Sequence, residues 1–222
     1  MVFPEVNPSL SPPMYAAYCI DYRYDALSSE FLRQIKYGDS YYLATAAGAA
    51  LSLGYKDYCK NECCSCSCSS SSDYCKTCPV NPNLNTLKKS LVTNLNIALT
   101  LKPDMNVVYF LNHQDCGAIR AYLSCSGYPK KDETGEAAKI KEICINAKLL
   151  TYADKYFNKK FKGIIKDLNI NLGLLDANGA VADYDIKTKA WTVIYVPTIA
   201  NNPNALWFKY TKGQVVKFNC KK

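Results

Sequence analysis

The stretch at residues 105–122 constrains the fold more than any other part of the chain. It begins with an apolar run at 107–111 that is rich in β-branched and aromatic residues and predicts a strand buried on both faces. His113, the only histidine, and Cys116 follow this run, and Gly117 begins a short predicted helix. Because open α/β sheets bind ligands at the carboxyl ends of their strands, we expect functional chemistry at this turn.

A second predicted strand, residues 14–20, also ends in reactive side chains. Cys19, Asp21 and Arg23 alternate along the chain, and alternate residues of an extended segment point to the same side. A thiolate, a carboxylate and a guanidinium are therefore expected on one face. Taken alone, this stretch is better explained as a buried cysteine followed by a surface ion pair.

Considered together, the two strand ends predict a metal site. If the strands are parallel neighbours, Cys19, His113 and Cys116 meet at one edge of the sheet. Two sulfurs and an imidazole are ligands that Zn²⁺ prefers. Three protein ligands with a fourth position open are typical of a catalytic rather than a structural zinc.

The pattern Cys-x-Asp-x-Arg followed by His-x-x-Cys-Gly resembles the β-class carbonic anhydrases, over about residues 15–194 with one large insertion. The resemblance implies that zinc is bound by Cys19, His113 and Cys116, and that Asp21 and Arg23 form the catalytic pair beside it. It also implies reversible hydration of carbon dioxide to bicarbonate, and a homodimer or higher homo-oligomer.

The predicted fold is α/β, with a mostly parallel central β-sheet flanked by helices, as in the β-carbonic anhydrases. Apolar spacing predicts helices at 25–37, 84–102 and 131–157. It predicts strands at 14–20, 40–45 and 107–111, within 161–175, and at 181–184, 190–196 and 215–218. The proline-rich residues 1–13 predict an extended N-terminal arm, and 14–222 a single domain. Within it, 54–83 is a cysteine- and serine-rich insertion that is expected to form a loop without its own core.

Twelve cysteines without a secretory signal favour metal binding or reduced thiols over a disulfide framework. Seven of them lie between residues 59 and 78. The spacing of Cys59, Cys63, Cys75 and Cys78 would suit a second, structural zinc. Disulfides, or free thiols in a polar loop, remain alternatives for these four.

One loop departs from the family pattern. Members usually carry Arg-Asn-Ala-Gly-Asn after the second strand, and this chain has Thr-Ala-Ala-Gly-Ala at 45–49; Asn112 also stands where glycine is commoner. A catalytically weak or inactive zinc-binding structural or interaction protein is therefore the alternative function. A hydrolase of carbonyl sulfide or carbon disulfide is another, because it would use the same ligands.

The formal net charge of +8 raises the question of nucleic-acid binding. The lysines are scattered over predicted helix faces, which indicates a solvated surface and no nucleic-acid partner. No apolar run approaches the roughly 20 residues that a membrane span needs. The first residues lack the pattern of a signal peptide, so we expect a cytoplasmic location.

Overall fold

A seven-stranded mixed sheet forms the centre of the protein, in the spatial order β2-β1-β3-β4-β5-β6-β7. The computed structural model describes residues 14–35, 41–62, 82–123, 128–129 and 133–220. The strands are β1 (Met14–Tyr18), β2 (Tyr41–Thr45), β3 (Val107–His113), β4 (Asn169–Leu175), β5 (Val181–Asp185), β6 (Ala190–Tyr195) and β7 (Val215–Val216). The helices are α1 (Tyr22–Gln34), α2 (Leu51–Glu62), α3 (Pro82–Leu101), α4 (Gly117–Tyr122) and α5 (Glu136–Phe161).

The sheet has a parallel half and an antiparallel half. β2, β1, β3 and β4 run parallel to their neighbours, whereas β5, β6 and β7 are added antiparallel. The predicted α/β class is confirmed, but the sheet is mixed rather than mostly parallel. Both strands that carry the predicted site, β1 and β3, lie in the parallel half, where strand ends share one edge.

Side-chain alternation along β1 explains why helices cover both faces of the sheet. Met14, Ala16 and Tyr18 pack in one cluster with Phe31 and Leu32 of α1. Tyr15 and Ala17 belong to a second cluster on the opposite face, with residues of α3 and α5. β3 is buried at every position, as its continuous apolar run predicts.

The predicted end of the long helix is wrong. α5 continues to Phe161, where a strand region was expected to start, and β4 begins only at Asn169. Phe161 is fully buried and its ring lies 4.5 Å from that of Phe157, one helical turn earlier. The apolar stripe therefore runs one turn further than the sequence prediction allowed.

The predicted loop character of residues 54–83 is wrong at both ends. α2 runs to Glu62, and α3 begins at Pro82. Tyr55 and Tyr58 of α2 are buried, and Gly54 lies so close to α5 that a Cβ there would sit 2.6 Å from the Leu149 carbonyl oxygen. The serines and cysteines that dominate the composition come later, at 63–81, and lie outside the described residues, as does the predicted arm at 1–13.

Candidate metal centre

Two parallel strands bring the three predicted ligands together. Tyr18, the last residue of β1, pairs with Leu111 of β3, so Cys19 emerges beside the end of β3. His113 is the last residue of β3, and Cys116 is the N-cap of α4. The ligand atoms of these three buried residues all lie within 4.8 Å of one another and could hold a metal ion. The predicted convergence of Cys19 with the His113 turn is confirmed.

The two sulfurs form a close pair with a backbone donor. The Sγ atoms of Cys19 and Cys116 are 3.9 Å apart, and the Gly48 N–H donates to Cys19 Sγ at 3.1 Å. Gly48 has a φ of +73°, and a Cβ there would lie 2.8 Å from Leu51 Cβ. The loop at 45–49 therefore supports the site through its backbone, although it lacks the polar side chains that the family carries there.

The sulfur pair has the electrostatics of a cation site. The hydrogen bond from the Cys116 thiol, together with the Gly48 N–H, lowers the pKa of Cys19. The resulting thiolate, with burial, raises the pKa of Cys116. Both sulfurs can ionise together only when a positive ion compensates the second charge. Without such an ion the two cysteines share one proton.

His113 presents one nitrogen to the same space. Its Nδ1 lies 2.7 Å from the Gln114 carbonyl oxygen, which only accepts, so this contact places the ring proton on Nδ1. Nε2 then carries a lone pair, and it is buried without a hydrogen-bond partner. Tyr24 stacks on the imidazole with ring centroids 4.2 Å apart and fixes its orientation. A buried orphan nitrogen is unfavourable in a folded protein, and a metal ion would satisfy it.

Asp21 and Arg23 lie beside these ligands. Arg23 donates from Nε and from one terminal nitrogen to the two oxygens of Asp21, at 2.9 and 2.6 Å. The Arg23 guanidinium, by this hydrogen bonding, lowers the pKa of Asp21. Asp21 Oδ2 is 3.9 Å from His113 Nε2, so the carboxylate faces the space that the ligands share.

The prediction that strand alternation brings Asp21 and Arg23 together is wrong. β1 ends at Tyr18, and Asp21 is the N-cap of α1, with its side chain accepting from the Arg23 N–H at 3.1 Å. Arg23 therefore belongs to a helix and not to an extended segment. The capping bond, rather than strand alternation, brings its side chain back onto the carboxylate.

The sequence prediction missed the asparagine pair behind the site. Asn112 accepts from the Ala50 N–H at 3.1 Å and donates to Asn146 of α5 at 2.9 Å. Both asparagines are buried. Asn112 was noted as a departure from the family pattern, but only the packing of α5 against β3 shows its partner. The pair ties the His113 strand to the loop that carries Gly48.

Asp115, Arg120 and Glu142 were also missed. Asp115 lies between His113 and Cys116, and its carboxylate accepts from both Arg23 and Arg120. Its backbone N–H donates to the buried Glu142 at 2.5 Å. Nothing in the spacing of these residues along the chain signals that they meet.

The predictions for the cysteines outside the site are only partly tested by the structure. Cys144 of α5 and Cys220 form a disulfide, so the expectation of reduced thiols is wrong for this pair. Disulfides are rare in cytosolic proteins, and this bond weighs against the predicted cytoplasmic location, which stays a prediction. Cys59 lies in α2, and the other members of the predicted second zinc site, Cys63, Cys75 and Cys78, lie outside the described residues.

Comparison with family models, curated proteins and solved structures gives no match to this chain. Within the described parts of the chain, no helix has both the length and the apolar character that crossing a membrane requires.

Proposed function

We propose that the protein is a zinc-dependent carbonic anhydrase of the β-class fold that interconverts carbon dioxide and bicarbonate. The observation that carries the proposal is the meeting of Cys19, His113 and Cys116 with the Asp21–Arg23 pair beside them. The first three residues form a metal-ligand set, and the other two give that set an adjacent ionised carboxylate. The motif resemblance supports the substrate, and the parallel order of β2, β1, β3 and β4 is compatible with the family's fold.

The ligand set favours zinc over other common ions. Two thiolates and an imidazole are soft and borderline ligands, whereas Mg²⁺ and Ca²⁺ select oxygen atoms. Three protein ligands leave the fourth tetrahedral position for water or substrate. When bound there, zinc would lower the pKa of water and so supply a nucleophile near neutral pH.

The chain's own contribution is to hold and orient that water. Asp21 is the only carboxylate that the described contacts place within 4 Å of His113 Nε2. Ionised, it accepts the hydrogen bond of the attacking water and sets the direction of its lone pair. Arg23 keeps Asp21 ionised and, by holding both its oxygens, keeps it off the metal.

A second candidate has one specific observation in its favour. The loop at 45–49 supports Cys19 by a backbone N–H alone and has no arginine or asparagine to hold the site from below. A zinc-binding structural or interaction protein of the same fold needs no more than this. Hydrolysis of carbonyl sulfide or carbon disulfide would also use these ligands, with a different access to the pocket.

The proposal includes a homodimer or higher homo-oligomer. Ile20 and Tyr22 flank Asp21 and are 61% and 86% exposed, and Leu43 on the edge strand β2 is 46% exposed. Ile20 and Tyr22 place exposed large apolar side chains next to Asp21, as expected of a surface that a partner covers. Sedimentation of the purified protein tests this part, and a monomer at micromolar concentration would contradict it.

The deciding experiment is stopped-flow hydration of carbon dioxide by zinc-loaded protein, compared with Asp21→Asn. Asparagine also caps helices, so α1 should survive while the charge is lost. We expect the rate to fall about a hundredfold or more, the usual contribution of a positioned acid or base. Asp104→Asn, at an exposed turn before β3, is the matched control and should keep the wild-type rate. If the wild-type protein hydrates carbon dioxide only at the uncatalysed rate, the carbonic anhydrase proposal is refuted, and the structural protein and the hydrolase remain as candidates.

A further inference from the structure

The Arg23 guanidinium bridges carboxylates from two different elements. One edge of the guanidinium, with Nε and a terminal nitrogen, donates to Asp21 at the start of α1. The other side donates to the Asp115 carboxylate at 3.1 Å and to the Asp115 carbonyl oxygen at 3.2 Å. Arg23 therefore fastens the catalytic candidate Asp21 to the turn between the ligands His113 and Cys116.

Asp115 is itself held from several directions. Arg120 of α4 donates to its second carboxylate oxygen, and Arg120 is fixed in turn by the Pro129 carbonyl oxygen at 3.0 Å. The Asp115 N–H donates to Glu142, whose carboxylate also accepts from Tyr128 at 2.5 Å. These contacts keep Asp115 at a φ of +58°, a conformation that few residues other than glycine adopt.

We propose that Asp115 is a positioning residue that fixes Arg23, and through Arg23 the Asp21 carboxylate, relative to the metal ligands. Arg120 and Glu142 serve this role by holding Asp115 in place. The proposal deepens the proposed function, on which its kinetic test rests. It adds a second carboxylate and a second arginine to the predicted pair, so that Asp21 belongs to a chain of charges crossing from α1 to α4.

A purely structural role does not account for this arrangement. The Asp115 side chain is 34% exposed and that of Arg23 is 42% exposed. Ion pairs this exposed contribute little to folding stability. Their geometry can still matter for activity, because a small displacement of a catalytic group costs far more in rate than in stability. Removing the Asp115 carboxylate should therefore lower the activity of the site and hardly change the unfolding midpoint.

Asp115→Asn is the sharpest variant for the test. Asparagine tolerates positive φ as well as aspartate does, so the turn is kept while the charge that holds two arginines is lost. We expect unchanged zinc content and unfolding midpoint, with kcat for carbon dioxide hydration reduced about tenfold. Glu62→Gln, which removes an ion pair to Lys148 at 2.7 Å between α2 and α5, away from the metal ligands, should leave the rate unchanged.

The double variant separates positioning from general damage. If Asp115 acts only through Asp21, adding Asp115→Asn to Asp21→Asn should cause no further loss of rate. A further tenfold loss of rate in the double variant would overturn the proposal. So would loss of zinc from Asp115→Asn alone, or a wild-type rate in that variant.

Cobalt(II) in place of zinc gives a readout that does not depend on activity. The visible absorption bands of the cobalt-loaded protein report the geometry around the metal, to which a displaced Asp21 carboxylate contributes. We expect Asp115→Asn to change these bands in the wild-type background and not in Asp21→Asn. Identical spectra for wild type and Asp115→Asn would overturn the proposal. If the wild type proves inactive, the proposed function fails while this comparison still decides the role of Asp115.

Discussion

A half-buried carboxyl away from the metal site should make the stability of the protein depend on pH in an unusual direction. Asp183 of β5 accepts a hydrogen bond from the hydroxyl of Tyr109 on β3. The Tyr109 ring reaches it across β4 at Gly173, where a Cβ would lie 2.7 Å from the ring. Burial raises the pKa of Asp183 from 3.8 to about 6, although the tyrosine hydroxyl opposes the increase.

The sign of the effect follows from proton binding. Between about pH 4 and pH 6 the folded state keeps a proton on Asp183 that the unfolded state has already released. Stability therefore decreases as the pH rises through this window. The raised pKa implies that this carboxyl destabilises the fold by roughly 2 kcal/mol at pH 5 and about 3 kcal/mol at pH 8.

Asp183→Asn removes the titration and keeps an acceptor for the Tyr109 hydroxyl. The stability of the variant relative to wild type should therefore increase by about 1 kcal/mol between pH 5 and pH 8, measured by urea unfolding. Asp185→Asn is the control, because hydrogen bonds from Thr188 and Lys187 lower the pKa of this exposed carboxyl. A stability difference between Asp183→Asn and wild type that is the same at both pH values would refute the reasoning.

Three further predictions concern the backbone and the disulfide. Cys220→Ser opens a covalent loop with a sequence separation of 76 residues, and chain entropy then predicts a loss of about 4 kcal/mol in urea unfolding; equal stability of variant and oxidised wild type would contradict this. Gly48→Ala should cost about 1–3 kcal/mol and weaken zinc binding in a chelator competition, since it strains a positive φ, crowds Leu51 and disturbs the N–H donor to Cys19. Gly213→Ala, with a φ of +87° and no neighbour within 4 Å, should leave zinc binding unchanged. Gly54→Ala should destabilise the fold by about 1–3 kcal/mol by forcing α2 away from α5, whereas Gly163→Ala, with open space around it, should not.

The parts of the fold that are coded locally could be predicted from the sequence. β3 was evident because its apolar run is continuous. The end of α5 was misplaced because the ring contact of Phe161 with Phe157 extends an apolar stripe past a group of lysines. α2 was missed because it runs directly into a segment whose composition is typical of a loop.

The candidate site also contains residues that the sequence predicts and residues that it does not. Cys19, His113 and Cys116 were predictable because each ends a strand or begins a helix, and parallel neighbouring strands end at one edge. Asp115 and Glu142 were not, because their roles depend on how α4 and α5 pack over the turn. The support of Cys19 by Gly48 was equally hidden, because a backbone N–H has no signature in the sequence.

The location of the metal ion tests the central claim most directly. Anomalous diffraction at the zinc absorption edge, from crystals of zinc-loaded protein, locates the ion without reference to activity. We predict a peak about 2.3 Å from the sulfurs of Cys19 and Cys116 and about 2.0 Å from His113 Nε2. Zinc that gives a peak only among other cysteines, with none between these three residues, would contradict the account.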